Sequence, residues 1–345
     1  MVRRPKGPSI KDIAQAVGLS TAAVSYALSG NGRVSIETQE NVRRVADAMG
    51  FIRNDTAARL RTGESNLLGV IVHDISNPFF AELLSDFEAF CYEAGYLTIV
   101  ANTKDDLVRQ ATLIDALVAQ NVAGLLISPG HTTSRDMMAG LRRRSKPYVI
   151  CVRDINDPSA DFVGADDETA GYLAARHLID TGIVEFGFVG GHEGSKTWAG
   201  RLQGIRRALG EVGKSIASQH IIPTSPTNEG GETATQRLLE TNPTCCAAIC
   251  FNDYVAFGAY AALHLAGRLV GVNYSIVGFD NLPQSSSLLP ALTTVDLFPR
   301  KIGRHAAATL LEKVRGVGAE PRRYLVEPRL VTRHSVAGAL PHPRL

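Results

Sequence analysis

Polar and charged side chains stand where short apolar runs of the sequence end. Asp166 closes the run FVGA, and Asn252 and Asp253 follow AAICF. Asp280 follows SIVGF, and Arg201 lies near the start of the helical stretch after FGFVGG. Carboxylates and amides make directional hydrogen bonds to hydroxyl groups, and a guanidinium adds a charged fork. These residue types at strand ends predict a binding site for a small polar molecule.

Aromatic side chains follow the first apolar run, in the segment Asn77-Pro78-Phe79-Phe80. Their rings can stack on a ligand ring, although for Phe80 packing in the protein core is an equal alternative. Asn and Asp at strand ends also commonly cap the following helix. We expect Asp253 to have that structural role.

Signatures of enzymes and of metal centres are missing from the sequence. The segment GGHEGSKT (190–197) resembles a phosphate-binding loop, but Ser195 stands where that motif requires Gly. Cys246 and Cys250 lie in an apolar run without a Cys or His pair at zinc spacing, and no G-x-S-x-G elbow or H-x-x-x-H pattern occurs. We therefore predict a protein that is not an enzyme and has no catalytic residues, no cofactor and no metal site.

The elements that position these residues alternate between strands and helices from residue 67 onwards. Such alternation implies parallel sheets with right-handed crossovers, and two sets of about five strands predict two Rossmann-like halves with the ligand between them. The strand candidates are 67–72, 96–102, 124–129, 147–152, 162–166, 186–191, 220–223, 247–252, 275–280 and 292–296. The helix candidates are 78–95, 106–122, 167–181, 197–212, 228–241, 252–267 and 298–316.

A different pattern occupies the N-terminal region. Ser9 followed by Asp12 is a capping box that opens a helix, Gly18 ends this helix, and Ser20 caps a second short one. A helix, a turn that begins with Gly and a second short helix form a helix-turn-helix, and Ser35 caps a third helix. The outward face of the second helix carries four side chains that can approach DNA bases: Thr21, Ala22, Ser25 and Tyr26.

Charge is distributed unevenly between this head and the rest of the chain. Residues 1–62 contain ten Lys and Arg against five Asp and Glu, whereas the remainder has 26 basic and 29 acidic residues. A basic head on a mildly acidic body supports DNA binding by the head.

The segment from IKDIAQAVGLSTAAVSYAL through VSIETQENV to GF-x-x-N-x-x-A-x-x-L resembles the N-terminal region of the LacI/GalR family of bacterial transcriptional regulators. The resemblance continues along essentially the whole chain. It implies a helix-turn-helix head and a two-lobed sensor like a periplasmic binding protein, crossed three times by the chain near 166, 296 and 325. It also implies that Thr21, Ala22 and Tyr26 read bases.

By the same resemblance, NDTAARLRTG is a hinge helix that inserts Leu60 into the minor groove, with Asn54, Ala57 and Arg59 near the DNA backbone. An ordinary linker whose Leu60 packs on the body is the alternative. Asn54, Ala57 and Leu60 are spaced i, i+3 and i+6 on one helical face, which favours the hinge.

For the sensor, the resemblance implies two sets of effector contacts. The first set is Phe79, Thr197, Arg201, Asn252 and Asp280, and the second choices are Phe80, Asp166, Ser195 and Ser225. Purine-binding members of the family carry Arg at the position of Ser195, so a sugar or related polyol is the expected effector.

These inferences predict the organisation of the whole chain. The expected parts are a head (1–53), a hinge and linker (54–66), a core (67–336) and a tail (337–345), with an N-subdomain of about 67–166 and 297–324 and a C-subdomain of about 167–296 and 325–336. The expected function is that of a cytoplasmic transcriptional regulator, a repressor, that binds a palindromic operator as a homodimer without membrane contact. The tail lacks leucine heptads, which argues against a tetramerisation helix. A solute-binding protein of a transport system is the alternative, disfavoured by the basic head and the absence of an export signal.

Overall fold

The computed structural model describes residues 7–30, 34–51, 65–317 and 320–338. Contacts within the chain separate it into two units, Met1–Glu64 and Ser65–Leu345. The predicted hinge residues Asn54, Ala57, Arg59 and Leu60 lie outside the described residues, as does the tail from 339 onwards. Every helix within the described ranges is too short or too polar to cross a membrane.

The described part of the first unit contains three helices with sequence-encoded ends. The Asp12 N–H donates to the Ser9 hydroxyl (3.4 Å), and the Ser9 N–H donates to the Asp12 carboxylate (2.7 Å), which is the predicted capping box. Gly18 has a φ of +71° and ends the first helix, and Ser20 caps the second. The buried core consists of Ile13, Ala14, Val24, Ala27, Val42 and Ala46. The helices are α1 (Ile10–Val17), α2 (Thr21–Ser29) and α3 (Ile36–Ala48).

The second unit begins with a parallel sheet whose central strands are buried on both faces, as their continuous apolar sequences require. Its strands are β1 (Leu67–Val72), β2 (Leu97–Asn102), β3 (Gly124–Ile127), β4 (Tyr148–Cys151), β5 (Asp161–Ala165) and β11 (Arg323–Val326). They are arranged in the order β11-β5-β4-β3-β1-β2. The helices of this half are α4 (Pro78–Glu93), α5 (Leu107–Ala119), α6 (Ala139–Arg143) and α11 (Pro299–Val314). We call this sheet and these helices the N-lobe.

A second sheet of the same kind forms the C-lobe. Its strands are β6 (Gly187–Val189), β7 (Ile221–Ile222), β8 (Ala247–Cys250), β9 (Ser275–Phe279), β10 (Thr293–Asp296) and β12 (Arg329–Val331). They are arranged in the order β12-β10-β9-β8-β6-β7, and only β12 is antiparallel to its neighbour. The helices are α7 (Asp167–Asp180), α8 (Lys196–Gly210), α9 (Asn228–Thr241) and α10 (Asp253–Leu265). Short 3₁₀ turns cover Arg135–Met138, Ser218–His220 and Pro283–Ser286.

The chain passes between the lobes after β5, after β10 and between β11 and β12. The predicted class, a helical head followed by two Rossmann-like parallel-sheet subdomains, is confirmed. Each sheet has one strand more than the sequence predicts, because β11 and β12 are only four and three residues long and each begins with Arg. Their apolar runs, Tyr324–Val326 and Leu330–Val331, are too short to predict a strand.

Candidate functional site

The outward face of α2 presents the side chains that the sequence selects for DNA contact. Thr21 and Ala22 are exposed at its N-terminal end, Tyr26 is 41% exposed one turn later, and Ser25 is half-buried between them. Val24 and Ala27 point the opposite way and are buried in the head. The helix therefore separates a packing face from a face that is open to a partner.

A cavity of about 730 Å³ lies between the lobes of the second unit, where the carboxyl ends of both sets of strands meet. This is the position at which open α/β sheets bind ligands. The cavity is lined by seven of the nine predicted effector contacts, namely Phe79, Phe80, Thr197, Arg201, Ser225, Asn252 and Asp280.

Asp166 and Ser195 lie outside the cavity lining, in contrast to their suggested place as secondary contacts. Both are helix caps. Asp166 accepts hydrogen bonds from the N–H (3.0 Å) and the hydroxyl (2.7 Å) of Thr169, and Ser195 accepts one from the N–H of Trp198 (3.2 Å). The neighbouring Asp167 lines the cavity instead.

The expected cap at the start of α10 is also displaced by one residue. Asn252, not Asp253, is the cap, and its side-chain oxygen accepts the Val255 N–H at 2.9 Å. Asp253 is buried and accepts hydrogen bonds from Leu282 (2.9 Å), Ser285 (2.6 Å) and Thr294 (2.7 Å). The Asn252 amide NH₂ makes no hydrogen bond within the described chain, so it remains available at the cavity wall.

Arg201 is fixed in the C-lobe wall by two hydrogen bonds and two aromatic rings. Its Nε donates to Asp167 (3.0 Å), its Nη1 donates to the carbonyl of Phe251, and its guanidinium lies 4.7 and 4.5 Å from the ring centroids of Phe251 and Phe279. Burial raises the pKa of Asp167 to about 6, although the Arg201 charge opposes this rise.

The pairing of Arg201 with Asp167 depends on the close packing of α7 against α8. A Cβ added at Gly171 would collide with the Arg201 carbonyl, and one added at Gly204 would collide with the Glu168 carbonyl. The two helices therefore touch backbone to backbone, which brings the start of α7 beside the first turns of α8.

Asp280 is 7% exposed and follows β9 with a φ of +104°, a conformation that is costly for a residue other than Gly. The strained backbone is held by the next residue, Asn281, which accepts from Arg333 (2.6 Å) and donates to Asp296 (3.1 Å). Within the described chain the Asp280 carboxylate makes no hydrogen bond. Burial raises its pKa well above the ordinary value.

The N-lobe wall contains a polar cluster that the sequence analysis missed. Arg153 donates to Asp105 at 2.6 Å, and His131 and His192 lie beside the same carboxylate. Burial alone would raise the pKa of Asp105, but the charge and hydrogen bond of Arg153 bring it to about 2. His73 donates to or accepts from Ser128 at 2.9 Å, and burial lowers its pKa well below the usual value.

Most of these residues follow strands, as the predicted contacts do. His73 follows β1, Asp105 follows β2, His131 follows β3, and Arg153 follows β4. The strand-end signal therefore marks both walls, but the sequence alone does not show which strand-end residues face the cavity.

The remaining wall is apolar. Phe79 and Phe80 are 4% and 2% exposed, and their rings meet edge to face with centroids 5.4 Å apart. Leu297 and Ile302 line the cavity as well. Phe79 and Phe80 are thus part of the N-lobe core and of the cavity surface at once.

Two family models match the chain. Residues 9–54 match the model of bacterial regulatory proteins of the lacI family, and residues 65–334 match that of periplasmic binding proteins and the sugar binding domain of the LacI family. The chain belongs to the LacI family.

Individual LacI-family proteins match along most of their length. The chain is 31% identical to the HTH-type transcriptional repressor PurR of Photobacterium profundum, over 95% of this chain and 98% of that protein. A LacI family transcriptional regulator from Enterococcus faecium with bound ribose is 28% identical, with a TM-score of 0.71 over 79% of this chain and all of that one. A lac repressor dimer bound to operator has a TM-score of 0.85 at 22% identity, over 96% of this chain and all of that one, and shows the shared fold.

Membership of the LacI family decides between the classes of function that the sequence leaves open. The chain is a DNA-binding transcriptional repressor controlled by a small-molecule effector, and it is not an enzyme. The lacI-type match over residues 9–54 also separates it from solute-binding proteins of transport systems, which the core alone resembles.

Proposed function

We propose that the effector of this LacI-family repressor is a neutral sugar or polyol bound in the cavity between the lobes. The observation that carries the proposal is Asp280, a buried carboxylate that faces the cavity without a hydrogen-bond partner in the described chain. Its hydrogen-bonding capacity is therefore free for a group that enters the cavity. Ligand hydroxyl groups can donate to a carboxyl group and also accept from it.

Neighbouring groups complete a site for hydroxyls. The free NH₂ of Asn252 and the remaining N–H groups of Arg201 donate to hydroxyl oxygens, and Thr197 adds a hydroxyl beside them. Phe79 offers an apolar surface to the C–H face of a sugar ring. Asn252, Asp280 and Arg201 therefore fix the orientation of the ligand, and the aromatic ring shields it from water.

The charges of the wall favour a neutral ligand over an anion. Arg153 and Arg201 are each paired with a carboxylate, Asp105 and Asp167. Among the described lining residues, four aspartates face two arginines and one lysine. A phosphate or carboxylate would meet no surplus of positive charge there. A monosaccharide such as ribose, which the Enterococcus faecium relative contains, fits these conditions.

Fluorescence of Trp198, the sole tryptophan, tests the effector proposal because this residue lies in α8 between Ser195 and Arg201. Titration with ribose and a panel of pentoses, hexoses and polyols should shift the emission and change operator affinity. Asp280→Ala removes the polar group from the cavity wall, so it should abolish both responses and preserve operator binding. Asp180→Ala, at an exposed carboxylate outside the lining, is the control. Failure of the whole panel, or wild-type affinity in Asp280→Ala, would contradict the proposal.

We further propose that Thr21, Ala22, Ser25 and Tyr26 contact operator bases and that Leu60 acts at the centre of the operator from a hinge formed with Asn54, Ala57 and Arg59. The exposure of the α2 face supports the first part, and the i, i+3, i+6 spacing supports the second. Leu60→Ala should weaken operator binding in a gel-shift assay and leave the Trp198 response to effector unchanged. Unchanged operator affinity would remove Leu60 from this role.

A homodimer on a palindromic operator completes the proposal. The edge strand β2 exposes Leu97 (48%), Ile99 (38%) and Val100 (40%). Exposed apolar edge strands are uncommon in monomers and favour association with a second copy. Ile99→Lys should convert a dimer into a monomer in analytical ultracentrifugation and weaken operator binding. A monomeric wild-type chain at micromolar concentration would contradict this part.

A further inference from the structure

Two histidines from opposite lobes meet at one carboxylate oxygen. Nδ1 of His131 in the N-lobe lies 3.3 Å from Oδ2 of Asp105, and Nε2 of His192 in the C-lobe lies 3.4 Å from the same atom. The two imidazole rings stack with centroids 4.2 Å apart. One nitrogen of each ring and one carboxylate oxygen lie within 4.8 Å of one another.

The Asp105 carboxylate is held so that Oδ2 faces the imidazoles. Its other oxygen, Oδ1, accepts hydrogen bonds from Arg153 (2.6 Å) and from the backbone N–H of His131 (3.0 Å). Nδ1 of His131 is buried and has no hydrogen-bond partner within the described chain. The arrangement thus combines a fixed anionic oxygen with a buried, unpartnered ring nitrogen.

We propose that Asp105, His131 and His192 bind a divalent transition-metal ion of the zinc class, held by both lobes. Tetrahedral coordination with bonds of about 2.0–2.1 Å places neighbouring ligand atoms about 3.3–3.4 Å apart. The two contacts to Asp105 Oδ2 have this spacing already. Metal binding requires the imidazole rings, whose side chains are 29% and 26% exposed, to rotate out of their stack so that both ring nitrogens point at the ion.

The ligand chemistry selects the class of metal. Two imidazoles and one carboxylate suit Zn²⁺, Co²⁺ or Ni²⁺ better than Mg²⁺, which prefers oxygen ligands. The hydrogen bonds from Arg153 and the His131 backbone orient the carboxylate as outer-shell contacts do in known sites. Three protein ligands leave a fourth position for water or an effector hydroxyl. Because His192 belongs to the C-lobe, the ion would stabilise the arrangement in which the lobes face each other across the cavity.

Metal titration of the full chain tests the site without any effector. All titrations use the full chain with the substitution Cys246→Ser. Of the five cysteines Cys246 is the exposed one, and its thiol could bind the metal by itself. Calorimetry with Zn²⁺ and visible absorption of Co²⁺ should give one ion per chain and a tetrahedral cobalt spectrum, whereas Mg²⁺ should not bind. His131→Ala and His192→Ala should each weaken binding by at least about tenfold. His264→Ala, at an exposed histidine on α10, should bind as the unsubstituted chain does.

Equal metal binding in all variants would indicate adventitious surface ions and overturn the proposal. The proposal would also be overturned if the chain that retains Asp105, His131 and His192 bound no metal. Trp198 emission and operator binding confirm that each variant is folded. Sugar binding is measured in the same variants with a metal chelator in the buffer, so that the sugar response is observed without bound metal. Loss of sugar binding with unchanged Co²⁺ binding would assign the histidines to the effector and overturn the metal site, and failure of the sugar panel alone leaves the metal result intact.

Discussion

The two walls of the cavity each contain one buried arginine–aspartate pair, and the pairs differ in the pKa of the aspartate. In the C-lobe, burial raises the pKa of Asp167 to about 6 in spite of Arg201. In the N-lobe, Arg153 and other hydrogen-bond donors bring the pKa of Asp105 to about 2 against the effect of burial. An arginine partner alone therefore does not decide the pKa of a buried carboxyl.

The charges around each carboxylate explain the contrast: the Asp166 charge adds to the effect of burial on Asp167, whereas Arg153 and His73 oppose the effect of burial on Asp105. Asp105 accepts from the Arg153 guanidinium and the His131 backbone, and its second oxygen stays near two imidazoles. Arg201 gives Asp167 a single N–H and spends another on the Phe251 carbonyl. The remaining N–H groups of Arg201 are therefore available to ligand hydroxyls beside Asp280. In the N-lobe pair, Oδ1 of Asp105 already accepts two hydrogen bonds and Oδ2 faces the two imidazoles.

The largest expected difference between the walls is in stability. Arg201→Met should lower the free energy of unfolding of the core by about 3–5 kcal/mol, because it removes the buried charge partner of Asp167 and the donor to the Phe251 carbonyl. Arg153→Met should cost less, about 1–3 kcal/mol, because the His131 backbone N–H still donates to Asp105. Urea unfolding followed by circular dichroism at pH 7 measures both. A larger loss of unfolding free energy in Arg153→Met than in Arg201→Met would contradict this expected difference between the walls.

The pH dependence of stability separates the pairs by sign. A carboxyl with a raised folded pKa stabilises the fold while protonated, and this contribution is lost as the pH rises through that pKa. From pH 5 to 7.5 the wild-type core should therefore lose about 1.4 kcal/mol relative to Asp167→Asn, the larger part of the contribution being lost between pH 4 and 6. Asp105 has a lowered pKa, so its contribution is complete above about pH 4 and is lost only toward pH 2.

Unfolding curves of wild type, Asp167→Asn and Asp105→Asn at several pH values between 5 and 7.5 check this sign. The buried Asp253, whose pKa burial raises to about 6, is present in all three chains and cancels from the differences. Parallel curves for wild type and Asp167→Asn would show that Asp167 does not titrate in this window.

The sequence predicts the two sheets and the edge at which the site lies, because each buried parallel strand is an apolar run that ends in polar residues. It does not resolve single positions at that edge. Asp166 caps a helix while Asp167 lines the cavity, and Asn252 caps the next while Asp253 is buried beneath it. At a strand-to-helix junction one residue of offset reverses the direction of a side chain, and local pattern does not fix that offset.

Local sequence patterns also cannot predict a cluster of residues that come from distant strand ends. His131 and His192 come from different sheets, so no spacing along the chain reports their contact with Asp105. A search for paired histidines at helical spacing finds nothing, since the fold and not a motif brings these residues together.

The smallest expected effect concerns a contact that joins the two walls. The Tyr254 hydroxyl on α10 of the C-lobe donates to the Ser76 carbonyl of the N-lobe at 2.9 Å. Tyr254→Phe removes this bond, which is worth about 0.5–1.5 kcal/mol, and should weaken effector affinity by roughly two- to tenfold, because the effector binds the arrangement in which both walls meet. Tyr260→Phe removes an equivalent 2.9 Å bond to the Pro290 carbonyl within the C-lobe. This matched control should lower the stability of the core and leave effector affinity unchanged. If Tyr254→Phe binds effector as tightly as Tyr260→Phe does, the Tyr254 contact does not help to join the lobes. The contact of His192 with Asp105, beside His131, would then be the remaining link between the two walls.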